Sequence, residues 1–150
     1  MYTLPDDAPD ILHELLQMWH EVSKDHKPSK RDLPFDDLVG EHPGLFWVER
    51  TDQSPMDFDL RFIKAGPEVL RRNKPGALEA VFSEILSANT FSFIPDIFGG
   101  CLRNGEPHYW EIIASEYGKL PLRYQRLVLP LFDEAGVAVS LLASSVYSEV

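Results

Sequence analysis

Two apolar runs with the two-residue period of β-strands, Tyr124 to Phe132 and Val137 to Tyr147, flank the turn Asp133-Glu134-Ala135-Gly136. Side chains alternate between faces along a strand, so Gln125, Leu127, Leu129 and Leu131 share one face while Tyr124, Arg126 and Val128 share the other. Val137, Val139, Leu141 and Ala143 repeat the period in the second run. Joined through the turn, the runs form a hairpin whose expected core face carries both leucine-rich sets. A slip of one residue would turn that whole set to solvent, so the register is well specified. Only Ser148-Glu149-Val150 follow, as expected of a sheet that closes on its last hairpin.

Upstream of the hairpin, the first element is a helix expected over Ala8 to Ser23, with Asp7 as N-cap, Pro9 in the first turn and Asp10 suited to the helix dipole. Ile11, Leu12, Leu15, Leu16, Met18, Trp19 and Val22 fall on one arc of its wheel, with His13, Glu14, Gln17, His20 and Glu21 opposite. Lys24 to Gly44 is polar and broken by Pro28, Pro34 and Pro43, which predicts a connector with a helical turn at Phe35 to Val39. Strands are expected at Leu45 to Thr51, Met56 to Ala65 and Tyr109 to Tyr117. Between the second and third lie a short helix, Pro67 to Arg72, and two more at Leu78 to Ala88 and Ser92 to Arg103, the last stopped by Asn104-Gly105. Strands clustered at both ends of a helical middle predict an α+β layout with the helices on one face of an antiparallel sheet, not a run of βαβ units.

The wording of the closing hairpin, Tyr124-Gln125-Arg126-Leu127-Val128-Leu129-Pro130-Leu131 before an acidic turn, resembles the close of a bacterial family of small, stand-alone PAS-like domains. Phe58-Asp59-Leu60-Arg61-Phe62-Ile63-Lys64-Ala65-Gly66 is more weakly similar to that family's second strand. The resemblance implies a PAS-like five-stranded antiparallel sheet with crossover helices on one face, spanning residues 45–147. The N-terminal amphipathic helix, residues 8–23, completes a single domain over residues 1–150. It further implies a sensory or regulatory role, with any ligand held between the sheet and the crossover helices.

Composition narrows the function classes. At 150 residues, 44% hydrophobic, the chain suits one globular domain. A net charge of -10, from 24 acidic and 14 basic residues, argues against nucleic acid and anionic membranes as partners. The local basic cluster Arg71, Arg72 and Lys74 reads as a solvated helix end. Cys101 is the only cysteine, so no intramolecular disulfide forms, which fits a reducing cytoplasm. The first residues carry no secretory pattern, and no apolar run is long enough to span a bilayer. A cytoplasmic protein is expected.

No glycine-rich phosphate motif, nucleophile elbow or HExxH run is present, and the histidines His13, His20, His26, His42 and His108 lack metal-ligand spacing. No metal is expected. Haem through His108 is disfavoured because that residue follows the last crossover helix. Flavin through Cys101 is disfavoured because the cysteine sits among Ile97, Phe98 and Leu102, and the segment lacks the flavin-binding run of related domains. The identity of any cofactor is left open. Aromatic density is the stronger signal: Phe46, Phe62, Phe82, Phe91, Phe93, Phe98 and Trp110, with Cys101, Leu127 and Leu129, either line a ligand pocket or fill the space as a core. Leu12, Leu15, Leu16 and Trp19 are expected to cover the other sheet face, at Tyr124, Val128, Leu142 and Val146, within one chain or across a homodimer. The reading is a non-catalytic sensory domain that binds a small ligand or a signalling partner. Its alternatives are a small α+β enzyme using Arg126, His108 and Glu111, and a purely structural interaction protein.

Overall fold

The structure is a computed structural model, and it describes residues 2–51, 59–72, 81, 98–114 and 122–149. In chain order the elements are α1 (Asp10–Ser23), α2 (Phe35–Leu38), β1 (Leu45–Arg50), β2 (Leu60–Ala65), α3 (Pro67–Arg72), α4 (Gly100–Asn104), β3 (His108–Ala114), β4 (Leu122–Phe132) and β5 (Ala138–Glu149). The five strands form one antiparallel sheet in the order β2-β1-β5-β4-β3. The α+β expectation holds. So do the short helix from Pro67 and the helix stop at Asn104, where the Gly105 N–H donates to the Cys101 carbonyl at 2.9 Å.

Helix α1 starts two residues later than expected. Pro9, with no side-chain cap, takes the N-cap position, while the backbone before it turns through an Ala8 N–H to Pro5 carbonyl bond of 3.0 Å. Leu12, Leu15, Leu16 and Trp19 are buried in a cluster with Leu45, Leu127, Leu129, Leu131 and Leu142. The other sheet face carries a second cluster: Phe46, Val48, Leu60, Phe62, Val69, Phe98, Cys101, Leu102, Val128, Leu141 and Ala143. This second face, against α3 and α4, is called the inner face below.

The expected assignment of faces is therefore reversed for β4, while Leu142 and Val146 lie under α1 as expected. Leu127, Leu129 and Leu131 pack under α1, while Val128 and Tyr124 belong to the inner face. Leu129 pairs with Leu142 and Val128 with Ala143, so Leu141 and Ala143 join Val128 instead of the leucines. A register shift between Leu131 and Phe132 changes the parity of pairing next to the turn. Both faces of the hairpin are covered, so apolar alternation alone could not tell which helix layer lies over which set.

β4 outruns its neighbour. β3 begins at His108, opposite Val128, so the stretch of β4 from Leu129 to Phe132 has no strand on that side among the described residues. Three groups close this edge: the Trp19 indole Nε1–H donates to the Pro130 carbonyl at 2.9 Å, the Cys101 thiol to the Val128 carbonyl at 3.7 Å, and the Phe132 N–H to the Pro28 carbonyl at 2.8 Å. Proline lacks an N–H, which is tolerated where no partner strand needs one.

Between β1 and β5 the backbones come unusually close. A Cβ on Gly44 would stand 1.9 Å from the Ser145 carbonyl oxygen, and the Ser145 N–H donates to the Gly44 carbonyl at 3.0 Å. At the β4–β5 turn, Gly136 takes φ 78°, a left-handed conformation suited to glycine. The Asp133 carboxylate accepts from the Val137 N–H there at 2.9 Å.

Candidate functional site

Cross-strand partners share a face, so the register lays the inner face out in rows. Ile112, Tyr124 and Tyr147 form one row, Trp110, Arg126 and Ser145 the next, and His108, Val128, Ala143 and Phe46 the third. Polarity rises from the Phe46 row toward the Arg126 row.

Arg126 is half-buried in the middle of this face. Its Nε–H donates to the Ser145 hydroxyl at 2.8 Å. Its guanidinium carbon lies 5.0 Å from the ring centroid of Tyr124, 5.1 Å from that of Phe46 and 5.9 Å from that of Phe98. Among the described residues it has no carboxylate partner. Tyr124 in turn contacts Tyr147, ring centroids 5.6 Å apart, and the Arg72 guanidinium stands 4.2 Å from the Tyr147 ring. Two cations thus bracket a pair of tyrosines.

A groove of about 410 Å³ opens between α1, α3 and the last strand, with Ile11, His42, Glu68, Arg72, Ser145 and Tyr147 among its lining residues; Arg126 and Tyr124 do not line it. Glu68 accepts from Arg71 at 2.6 Å and lies 3.4 Å from Arg72. The Arg71 hydrogen bond, with the charges of both arginines, holds the Glu68 carboxyl below its usual range. His42 is 1% exposed, and neither ring nitrogen has a partner. Burial pushes its pKa down, against the pull of Glu41 and Glu14, and favours neutral imidazole. The Trp110 indole N–H, in the same row as Arg126, is also buried without a partner.

Of the expected pocket residues, Phe46, Phe62, Phe98 and Cys101 come together on the inner face. Phe46 lies 5.6 Å from Phe62 and 6.3 Å from Phe98. Trp110 is placed there by its pairing with Arg126. Leu127 and Leu129 are on the opposite face under α1, because their register partners are Ser144 and Leu142. Phe82, Phe91 and Phe93 lie outside the described residues. Cys101 is fully buried and burial raises its thiol pKa far above the ordinary value, so it is a protonated, inert packing group here. The three polar groups of the enzyme alternative do not converge. His108 and Arg126 share the inner face, whereas Glu111 pairs with Gln125 on the α1 face and forms an ion pair with Arg123. No cluster of His, Cys, Asp or Glu able to hold a metal occurs among the described residues.

The sequence reading passed over Ser145, Tyr147, Arg72 and His42, and turned Arg126 away from the crossover helices. The alternation of Tyr124, Arg126 and Val128 carried a usable signal, since an arginine between two such residues in a doubly covered strand faces a packed layer on either choice of face.

Helices between the second and third strands, with the spatial order β2-β1-β5-β4-β3, give the arrangement of PAS domains. The fold is PAS-like. Solved structures similar to this chain include a light-oxygen-voltage domain studied with a flavin analogue, at 16% identity over 76% of this chain and 83% of that one, TM-score 0.49. A sensory box sensor histidine kinase from Vibrio cholerae is similar at 12% identity over 81% and 94%, TM-score 0.49. The PAS domain from Bordetella pertussis BvgS is similar at 12% identity over 79% and 86%, TM-score 0.42. No family model matches the chain, and no curated protein does. No helix among the described residues of this PAS-like chain is long and apolar enough to cross a membrane.

Proposed function

We propose that this PAS-like chain is a non-catalytic sensory module that takes a small ligand at the Arg126 end of its inner sheet face and signals by altered contacts with another protein. The observation that carries the reading is Arg126 itself. It is a half-buried guanidinium among three aromatic rings, with one hydrogen bond to Ser145 and no carboxylate among the described residues. A layer that served packing alone would gain by an apolar side chain there, because burying an incompletely paired charge is costly. A groove of about 410 Å³, in the range of small-molecule sites, reaches the Arg126 row through Ser145 and the Tyr124 row through Tyr147.

A ligand that favours one packing of α3 and α4 against the sheet shifts the population toward the surface that packing offers. A homodimer through α1 has less support, because Leu12, Leu15, Leu16 and Trp19 are buried within their own chain. Such a dimer would need the helix to swap between copies. The free, buried thiol of Cys101 fits a cytoplasmic setting.

A native mass spectrum of the protein purified from its own host tests the proposal, since it reports bound small molecules and oligomeric state together. The expected result is a chain carrying the mass of one small molecule. An empty monomer with no co-purifying partner would refute the reading.

A further inference from the structure

The polar end of the inner face has a definite electrostatic sign. Arg126 and Arg72 stand on either side of the Tyr124–Tyr147 pair, and Arg72 shares the Glu68 carboxylate with Arg71. A half-buried guanidinium without a carboxylate among the described residues stands out in a chain whose net charge is -10. Long-range repulsion of an anion by the rest of the surface is screened beyond roughly 8–10 Å at physiological salt. At the Arg126 fork the nearest charge is the guanidinium itself, which has no carboxylate partner among the described residues.

From these placements we infer that the ligand is a small organic anion with a planar ring, an aromatic carboxylate, whose carboxylate is held by the Arg126 guanidinium. The inference rests on the ligand-binding reading above. Ser145 occupies only the Nε–H of Arg126, which leaves the terminal amino groups of the fork for a carboxylate, the group whose geometry matches that fork best. The rings of Tyr124 and Tyr147, on the adjoining row, offer flat apolar surface for an aromatic body. The Trp110 indole N–H is a second unsatisfied donor on the Arg126 row. An acceptor reaching it would relieve the cost of leaving it buried and unpaired. A neutral ligand would leave the guanidinium uncompensated, and a cationic one would meet a field of its own sign.

The test uses the full chain and two matched pairs of probes, benzoate with benzamide and indole-3-acetate with indole-3-acetamide, titrated calorimetrically. At least one carboxylate is expected to bind ten-fold or more tightly than its amide, with affinity falling as salt rises. Arg126→Gln is expected to lose at least ten-fold in carboxylate affinity with unchanged near-UV circular dichroism, and Arg126→Lys to retain part of it. If Arg126→Gln fails to fold, the comparison of carboxylate with amide on the wild-type chain decides alone. Equal binding of acid and amide, binding that survives Arg126→Gln, or no binding of either acid would overturn the inference. A neutral molecule found on the natively purified protein would overturn it while leaving the ligand-binding reading intact, and an empty protein would remove both.

Discussion

Replacing Trp19 by phenylalanine separates two contributions that the indole makes at once. Its apolar surface packs in the cluster of Leu127, Leu129, Leu131 and Leu142, and its N–H donates to the Pro130 carbonyl at 2.9 Å. Phenylalanine keeps most of the first and none of the second. Pro130 lies in the part of β4 that β3 does not reach, so no strand donor takes the place of the indole. A buried carbonyl left without a partner costs about 1–3 kcal/mol, and the smaller ring leaves a gap that adds about 1 kcal/mol. The expected loss is therefore about 2–4 kcal/mol, within a total of about 5–15 kcal/mol for a domain, so the variant still folds. With a urea slope of about 1–3 kcal/mol per molar, the midpoint falls by roughly 0.7–4 M. Far-UV circular dichroism is the appropriate readout because the substitution removes a tryptophan fluorophore. A shift worth less than about 0.5 kcal/mol at unchanged slope would refute the reasoning, since it would mean that the Pro130 carbonyl does not depend on α1.

Gly44→Ala places a Cβ where it would meet the Ser145 carbonyl at 1.9 Å. It is expected to cost more than about 3 kcal/mol by forcing β1 from β5, read as a drop in thermal midpoint, and a near-neutral result would contradict the close approach. His42 has a pKa lowered by burial, so the unfolded chain binds its proton more readily and stability falls as pH drops below the ordinary value of 6.5. His42→Leu is expected to flatten that fall, and equal slopes between pH 7.5 and 5.5 for the two proteins would exclude the assignment. A chain beginning at Lys24 bares Leu127, Leu129, Leu131 and Leu142, and light scattering is expected to show species larger than a monomer, whereas a stable monomer would show that α1 is dispensable.

The strands, α3 and the stop at Asn104 were legible because proline, glycine and strict alternation report backbone conformation locally. The start of α1 was misplaced because Asp7 had the chemistry of a cap, but Pro9 set the geometry. What the sequence left open was long-range. Leu141 and Ala143 followed the same period as Leu127 and Leu129, yet the register placed them on opposite faces, and only pairing across the turn decides that. The site was hidden for the same reason. Tyr147, Arg72, Ser145 and Arg126 come from three parts of the chain, and no spacing rule joins a helix end at residue 72 to the last strand. The aromatic density around Phe46 and Phe98 was visible in composition, but the cation among those rings was not.

The overhang of β4 beyond β3 bears on how the chain avoids its own kind while folding. Until α1 and α4 dock, the backbone beyond the His108–Val128 pair, Leu129 to Phe132, is an open template to which a strand of another copy can add. Trp19 and Cys101 shut that template from opposite layers, each taking a carbonyl of the same strand, two residues apart. Helix α1 precedes β4 in the chain, so it is available before the vulnerable strand emerges and can act as a guard in cis against polymerisation.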